Sequence, residues 1–394
     1  MSDPRLPVPP KDAQAVSQAL AAALRKEIRA TGDLSFARYM ELALYEPGLG
    51  YYSAGARKFG EGGDFVTAPE ISPLFSRCLA RQCAQILAAI DGDQKSTILE
   101  LGAGSGVMAA DMLAELATMD CLPDRYLILE VSADLRDRQQ AKLATDMPEY
   151  FPRIDWLVNL PAEPIHGCIV ANEVLDALPV ERFVIADEGL QQLMVGLEGD
   201  RFCLQSREMP VDLASRLTQC LRRPVTDFPG GYASEFCPLL PSWTTAIASC
   251  LARGMLLFTD YGLTRADYYH PERASGTLMC HYRQRAHDDV FFWPGLQDIT
   301  AWVEFSTLAE AAAKGGLDLA GFTTQAHWLL ALGLDELVAQ SVGSGQKAQV
   351  ELAQQVKTLT LPGEMGERFK AIAFARGLDF ALRGFAMRDF SDRL

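Results

Sequence analysis

The stretch TILELGAGSG spans Thr97–Gly106. Its apolar beginning has the composition of a short strand, and the residues after the glycines, Val107–Leu113, have the composition of a helix. Strand, glycine loop and helix in this order open a nucleotide-binding α/β unit, because glycines allow turns that a Cβ would forbid and let the backbone approach a ligand closely. The stretch therefore predicts a parallel sheet with a ligand at the carboxyl ends of its strands.

Two details of this loop indicate which ligand it takes. A dinucleotide loop places its third glycine one residue later, where Val107 stands. Glu100 would repel a pyrophosphate, but it suits a ligand that carries an ammonium and a sulfonium group. A second predicted strand ends in Glu130, whose carboxylate can accept hydrogen bonds from both hydroxyls of a ribose. These features predict an S-adenosyl-L-methionine site; the alternative is an ordinary tight βα turn with a surface glutamate. The predicted cofactor residues of this region are Glu100, Gly102, Gly104, Gly106 and Glu130.

Composition limits the classes of partner. The 394 residues include 49% hydrophobic residues and carry a formal net charge of −15. Such a chain lacks the basic footprint of a general nucleic-acid binder, but it suits a basic partner such as an arginine-bearing protein segment. Nine scattered cysteines without a C-x-x-C pair indicate reduced thiols and no zinc site, and the histidine spacings indicate no other metal site.

The N-terminal sequence and the hydropathy of the chain predict its location. The first ten residues have neither the apolar core of a signal peptide nor the Arg- and Ser-rich pattern of a transit peptide. No apolar run is long enough to span a bilayer. We expect a cytoplasmic protein that begins at its own Met and does not insert into membranes. The sequence leaves room for oligomerisation.

Alternating strand and helix patterns predict an α/β fold: a doubly wound, mostly parallel sheet of seven strands. The parallel strands are predicted at 97–101, 126–130, 154–158, 167–171 and 254–260, and an antiparallel pair at 319–327 and 369–376 closes the sheet. Helices are predicted at 11–30, 35–44, 73–89, 211–222, 241–253 and within 334–360. Short antiparallel runs at 182–186, 190–197 and 201–205 predict an inserted subdomain at 180–240. We expect an N-terminal helical segment with a glycine-rich loop at 1–90, followed by one domain at 91–394.

The glycine-rich loop at 46–65 is long for a compact domain, and such loops are often functional. It leads into Asp64 and Thr67, which we predict to contact the cofactor as part of a lid. A plain helix start is the alternative, because Ser72 followed by Pro73 is a good helix cap.

The fourth predicted strand runs into Asn172, Glu173 and Asp176. Ligands of open α/β sheets bind outside the carboxyl ends of the strands, so these side chains are predicted to meet the substrate beside the cofactor. Carboxylates there could hold a protonated guanidinium, aim its nitrogen and accept its proton. The alternative is a helix start, with Asn172 as the cap and the acids in the first turn.

A segment rich in His and Arg, 281–289, follows the fifth strand. His287 and Asp298 are predicted to do acid–base or positioning work, and the alternative is a solvated loop held by ion pairs. Asp260, at the end of the fifth strand, is expected to be structural.

The chain resembles the MidA-like methyltransferases, which include the mitochondrial complex I assembly-factor arginine methyltransferase, over 35–390. The matching segments are Gly63–Ser72, Leu99–Gly106, Asn172–Pro179, His281–Asp288 and Gly295–Thr300. The resemblance implies a class I methyltransferase fold, use of S-adenosyl-L-methionine and arginine N-methylation of a protein, in the mitochondrial case a subunit of respiratory complex I. The chain departs from the family at Trp302, where a His is expected, so no catalytic His is predicted there.

Three functions remain open from the sequence. The leading interpretation is a protein arginine N-methyltransferase whose substrate exposes an arginine. The second is a methyltransferase for a small molecule, and the third is a non-catalytic assembly factor that binds S-adenosyl-L-methionine. The missing transit-peptide pattern indicates a bacterial member, whereas eukaryotic relatives would work in the mitochondrial matrix.

Overall fold

The computed structural model describes residues 6–53, 66–90, 94–341 and 345–394. Its strands are β1 (Ser96–Leu101), β2 (Arg125–Leu129), β3 (Ile154–Leu157), β4 (Ile165–Asn172), β5 (Glu181–Ala186), β6 (Gly189–Glu198), β7 (Arg201–Glu208), β8 (Tyr232–Phe236), β9 (Leu251–Leu263), β10 (Met279–Tyr282), β11 (Arg285–His287), β12 (Asp298–Thr300), β13 (Val303–Glu304), β14 (Asp318–Thr324) and β15 (Phe369–Arg376). Its helices are α1 (Lys11–Thr31), α2 (Phe36–Tyr45), α3 (Ala68–Ile71), α4 (Pro73–Leu87), α5 (Val107–Thr118), α6 (Ala133–Asp146), α7 (Val211–Leu221), α8 (Leu240–Ser249), α9 (Arg265–Tyr268), α10 (Phe305–Lys314), α11 (Gln325–Ala331), α12 (Leu334–Ser341), α13 (Gln346–Thr360) and α14 (Met365–Arg368).

The chain divides into two compact units. The antiparallel unit comprises 175–241, 263–307 and the described part of 1–65. The parallel unit comprises 66–174, 242–262 and 308–394. The predicted division at residue 90 does not coincide with either unit, because 66–90 belongs to the parallel unit. The predicted insertion at 180–240 shares the antiparallel unit with the N-terminal helices and with 263–307.

Seven of the described strands follow one another across the central sheet, in the order β14-β15-β9-β4-β1-β2-β3. Strands β9, β4, β1, β2 and β3 are parallel, and β15 is antiparallel to both β9 and β14. The predicted fold class and the closing antiparallel pair are confirmed. The strand order reverses between β1 and β4, and ligands of such sheets bind at this switch point.

Burial explains why these segments form interior strands. β1 is buried at five of its six residues, the pattern of a parallel strand covered on both faces. Two predicted boundaries were wrong. β9 begins at Leu251, inside the predicted helix 241–253, and β14 ends at Thr324, inside the predicted strand 319–327. The hydroxyl oxygen of Thr324 accepts a hydrogen bond from the backbone N–H of His327, which starts α11 instead.

The antiparallel unit contains two sheets. The larger has the order β7-β6-β5-β8, and α1 and α2 pack on it. Its first three strands were predicted, whereas β8 was not. Ser35 caps α2 by accepting a hydrogen bond from the backbone N–H of Arg38. The smaller sheet, in the order β11-β10-β12, was not predicted at all.

All nine cysteines are free thiols, in agreement with the sequence analysis. No helix in the described part of the chain is long and apolar enough to cross a membrane.

Candidate functional site

The glycine loop leaves β1 at the switch point of the sheet. Gly102, Gly104 and Gly106 have φ angles of 67°, 54° and 81°, a region in which a Cβ is strained. A Cβ placed on Gly102 would lie 3.2 Å from Cγ2 of Val174, in the turn that follows β4. The loop therefore runs close against that turn, and its backbone needs glycine for its conformation.

Glu130 follows β2 directly. Glu130 is only 6% exposed, and burial raises the pKa of its carboxyl group. Oε1 accepts a hydrogen bond of 2.9 Å from the backbone N–H of Ser132, and Oε2 accepts one of 3.2 Å from Nε2 of Gln139. Both bonds favour the ionised form, and the carboxylate oxygens are acceptors of the kind that ribose hydroxyls use.

Gln139 joins Glu130 to the glycine loop. Its Nε2 also donates to the carbonyl oxygen of Gly104 at 2.9 Å, and its Oε1 accepts from Nε1 of Trp156 at 3.0 Å. The side chain is fully buried in α6. The sequence analysis missed this residue, because a glutamine beside a second glutamine in a polar helix carries no distinguishing signal.

Glu100 is buried rather than displayed on the loop. It is 1% exposed, and the hydroxyl of Tyr126 donates to its Oε2 at 2.7 Å. Burial raises the pKa of Glu100 to about 7, against the lowering effect of the Tyr126 bond. This arrangement supports a role in the packing of β1 on β2, and its predicted contact with the cofactor stays a prediction.

Asn172 and Glu173 end β4 and are fixed by the neighbouring strand. Oδ1 of Asn172 accepts a 2.8 Å hydrogen bond from the hydroxyl of Thr259, and the backbone N–H of Glu173 donates to the carbonyl oxygen of Thr259 at 2.9 Å. Glu173 Oε1 accepts from Nδ2 of Asn172 at 3.1 Å and from the backbone N–H of Ala68 at 3.3 Å. Glu173 has a φ of 52°, which is strained for a residue other than glycine.

The helix-start interpretation of this segment is wrong. After Glu173 the chain forms turns and bends until β5 begins at Glu181. The acids there do not occupy the first turn of a helix, and Asn172 is the last residue of a strand. Its side chain fixes Glu173 instead of capping a helix.

The segment that precedes α4 also reaches the glycine loop. Glu70, in α3, accepts a short hydrogen bond from the hydroxyl of Ser105. Thr67 precedes α3 and makes no capping bond through its side chain. Ser72 caps α4, with Pro73 as its first residue, so the predicted helix start is confirmed. Asp64 lies outside the described residues, as does the predicted loop from residue 54 onward.

Asp176 and Asp298 lie in the antiparallel unit, whereas Glu173 lies in the parallel unit. Both aspartates are buried, at 5% and 3% exposure. The hydroxyl of Tyr52 donates to Oδ1 of Asp298 at 3.0 Å, and burial together with Asp298 and Asp176 raises the pKa of Tyr52. The ring of Tyr52 stacks on that of Tyr45 with centroids 5.5 Å apart. The sequence analysis missed both tyrosines.

The structure separates His287 from Asp298. Across the smaller sheet, Asp298 pairs with His281, whereas His287 pairs with Cys280. Since successive residues of a strand face opposite sides, His287 and Asp298 point away from each other. The ring of His287 packs edge-on against Phe292, with centroids 5.4 Å apart. Asp298 therefore shares its face of the sheet with His281, and burial lowers the pKa of His281.

Comparison with known proteins identifies the family. A profile described as S-adenosyl-L-methionine-dependent methyltransferase matches residues 78–323. The chain belongs to this family. The match contains the glycine loop, Glu130 and Glu173.

Three similar proteins cover nearly the whole chain. The mitochondrial protein arginine methyltransferase NDUFAF7 of Danio rerio is 29% identical over 377 residues, 88% of this chain and 84% of the relative. The Homo sapiens protein of the same name is 27% identical and covers 89% of this chain and 82% of its own length. A crystal structure from Burkholderia thailandensis, bound to S-adenosyl-homocysteine, has a TM-score of 0.93 and 44% identity, over 99% of this chain and all of that chain.

The residues at the switch point fit the methyl donor of this family. The loop offers three glycines that carry no side chain, and Glu130 offers two carboxylate oxygens at the end of β2. Within the described part of the chain, no group of three or more His, Cys, Asp or Glu residues could hold a metal ion.

Proposed function

We propose that this methyltransferase N-methylates arginine side chains of a protein. The observation that carries the proposal is the carboxylate of Glu173, held at the end of β4 beside the glycine loop by Asn172 and the Ala68 backbone. The names of the relatives from Danio rerio and Homo sapiens, both protein arginine methyltransferases, support it.

Cofactor binding is assigned to the parallel unit. The proposed contacts are the backbone of the glycine loop, the carboxylate of Glu130 for the ribose, and the segment that contains Thr67. The proposed cofactor residues are Gly102, Gly104, Gly106, Glu130, Glu100, Thr67 and Asp64. The likeness to the structure bound to S-adenosyl-homocysteine supports this assignment.

Bound S-adenosyl-L-methionine supplies an electrophilic methyl group on a positively charged sulfur. The residues of this chain must then present a nucleophilic nitrogen, although a guanidinium keeps its proton in water because its pKa exceeds about 12. Glu173 accepts hydrogen bonds from the guanidinium, aims one nitrogen at the methyl carbon and takes up the proton that this nitrogen loses. Orientation of this kind contributes on the order of 7–11 kcal/mol to lowering such barriers.

Asn172 positions the acid. Its amide holds Glu173 Oε1 while its own carbonyl oxygen is held by the hydroxyl of Thr259. The carboxylate therefore has a fixed direction before the acceptor arrives, so less ordering is needed at the moment of reaction.

A second group of residues, within the antiparallel unit, is also proposed to bind guanidinium. Buried carboxylates and stacked tyrosine rings are the groups that bind guanidinium, by charge-assisted hydrogen bonds and by cation–π contact. Asp176, Asp298 and Tyr52 provide both kinds of group. His287 remains a candidate of the same proposal, although it points to the other face of its sheet from Asp298.

The partner is proposed to be a basic protein segment, which the net charge of −15 would attract. A respiratory complex I subunit as the acceptor, and a cytoplasmic location, stay predictions from the sequence.

Labelled methyl transfer tests the proposal. Lysate of a strain that lacks this protein is incubated with the purified chain and methyl-labelled S-adenosyl-L-methionine, and proteins and small molecules are separated before counting. We expect label on arginine of a protein, identified by mass spectrometry, and none with Glu173→Gln. Label in the small-molecule fraction alone would favour a metabolite methyltransferase. Absence of label with intact cofactor binding would favour a non-catalytic assembly factor.

A further inference from the structure

The side chain of Gln139 makes hydrogen bonds to both the glycine loop and the carboxylate of Glu130. Its amide group is fully used: one nitrogen proton goes to Gly104, the other to Glu130, and the oxygen accepts from Trp156. An amide that lies at 0% exposure and makes three such bonds has one orientation.

We propose that Gln139 is a positioning residue for the methyl donor, acting through Glu130 and through the peptide of Gly104. The inference rests on the proposed ribose contact of Glu130. By occupying one lone pair on Oε2, Gln139 leaves the other for a ribose hydroxyl, while the Ser132 N–H occupies one lone pair on Oε1 in the same way. The carboxylate is thereby set for one hydroxyl on each oxygen.

The bond to Gly104 adds a second effect. Gly104 has a φ of 54°, and its carbonyl oxygen is held by Gln139 from below the loop. The same amide thus fixes the peptide of the loop and the acid at the end of β2, so the distance between these two binding elements does not vary. In metal sites, removal of outer residues that orient the ligands changes affinity by about 10- to 100-fold, and an effect of the same kind is expected here.

Gln139 also helps to keep the carboxylate ionised. Burial raises the pKa of Glu130, and the bonds from Ser132 and Gln139 oppose that rise. Loss of Gln139 should raise this pKa further, so Glu130 would take up a proton at a higher pH. Since a protonated carboxyl accepts hydrogen bonds less well, affinity for the nucleoside should fall at a higher pH than in the wild type.

The experiment is calorimetric titration of S-adenosylhomocysteine into the full-length chain across a range of pH. Gln139→Met keeps the volume but removes the amide, and we expect the Kd to rise about tenfold or more. The acid limb of the affinity profile should move to higher pH. Gln140→Met, the same change at the neighbouring and exposed position of α6, is the matched control and should change neither quantity.

A double-mutant cycle separates positioning from packing. If Gln139 acts through Glu130, Gln139→Met should cost much less affinity once Glu130 is already Gln. Equal losses in both backgrounds, or equal effects of Gln139→Met and Gln140→Met, would overturn the inference. If Glu130→Gln itself leaves the affinity unchanged, the proposed ribose contact of Glu130 fails. If Glu130→Gln lowers the affinity strongly and Gln139→Met does not, the ribose contact stands and the positioning role of Gln139 fails.

Trp156→Phe tests the same inference with a smaller change if Gln139→Met does not fold. It removes only the bond that anchors Oε1 of Gln139. We expect a smaller rise in Kd with the same direction of pH shift. In that case an unchanged affinity and an unchanged pH profile would overturn the inference.

Discussion

The backbone N–H of Ala68 donates a hydrogen bond of 3.3 Å to Oε1 of Glu173, across 105 positions of sequence. This bond ties the segment before α4 to the acid at the end of β4. Together with Asn172 it fixes the carboxylate in a strained turn with a φ of 52°. Proteins keep such strain chiefly where function requires the geometry.

We predict that Glu173→Gln lowers methyl transfer by about 100-fold or more, because general-base and orienting groups contribute factors of this size. Affinity for S-adenosylhomocysteine should stay nearly unchanged, since the amide keeps the shape of the side chain. Single-turnover transfer and calorimetry measure the two quantities. Asp155→Asn, an exposed acid whose partner is Arg125, is the control and should retain activity. Wild-type transfer by Glu173→Gln would remove this acid from the mechanism.

Gly104→Val should abolish binding of S-adenosylhomocysteine. A branched side chain is strained at a φ of 54° and would fill the space that the loop leaves beside the ligand. Gly199→Val is the matched control: it carries the same backbone strain, at a φ of 63°, in the β6–β7 turn, where a Cβ meets nothing within 4 Å. Equal loss of binding in both variants would mean that strain alone is responsible.

Glu100 should make stability depend on pH. Burial raises its pKa from the ordinary 4.5 to about 7, so the folded chain holds this proton more tightly than the unfolded chain. The resulting stabilisation is present below the ordinary pKa and is lost as the pH rises towards 7. Glu100→Gln should therefore match the wild type near pH 4.5 and exceed it above pH 7 by on the order of 1–3 kcal/mol. Denaturant unfolding at several pH values measures this, and a difference that is independent of pH would contradict it.

Asp298 and His287 should respond differently to substitution. Asp298→Asn removes a charge that the hydroxyl of Tyr52 contacts, so kcat/KM for the acceptor should fall with little change in cofactor affinity. His287→Gln disturbs the packing against Phe292, so its main effect should be a lower Tm. Steady-state kinetics and thermal unfolding separate the two. The reverse pattern would return the acid–base role to His287.

Local patterns were sufficient for the parts of the site that follow strands. The glycine loop directly follows β1 in the sequence, and the acid directly follows β2. The alternation of apolar strands and helices implied that the two lie close together. The turn after β4 was ambiguous, because Asn followed by two acids also describes a helix start. What decides it is a set of bonds from Thr259 and Ala68, which are distant in sequence.

The sequence analysis missed other residues because their partners are also distant in sequence. Gln139 and Tyr52 act through partners that lie elsewhere in the chain, so neither is marked by its neighbours in sequence. The smaller sheet was missed because its strands have only three or four residues, too few to establish a periodicity. His287 was paired with Asp298 because they are close in sequence, whereas the strand register turns them to opposite faces.

The division of the chain into interleaved segments has a consequence for its biosynthesis. The chain changes from one unit to the other at residues 65, 174, 241, 262 and 307, so no single cut releases either unit intact. A ribosome must pass residue 307 before every segment of the antiparallel unit exists, and β15 of the central sheet begins only at Phe369. The edge of β9 to which β15 pairs therefore lacks this partner in a nascent chain until residue 376 has been translated.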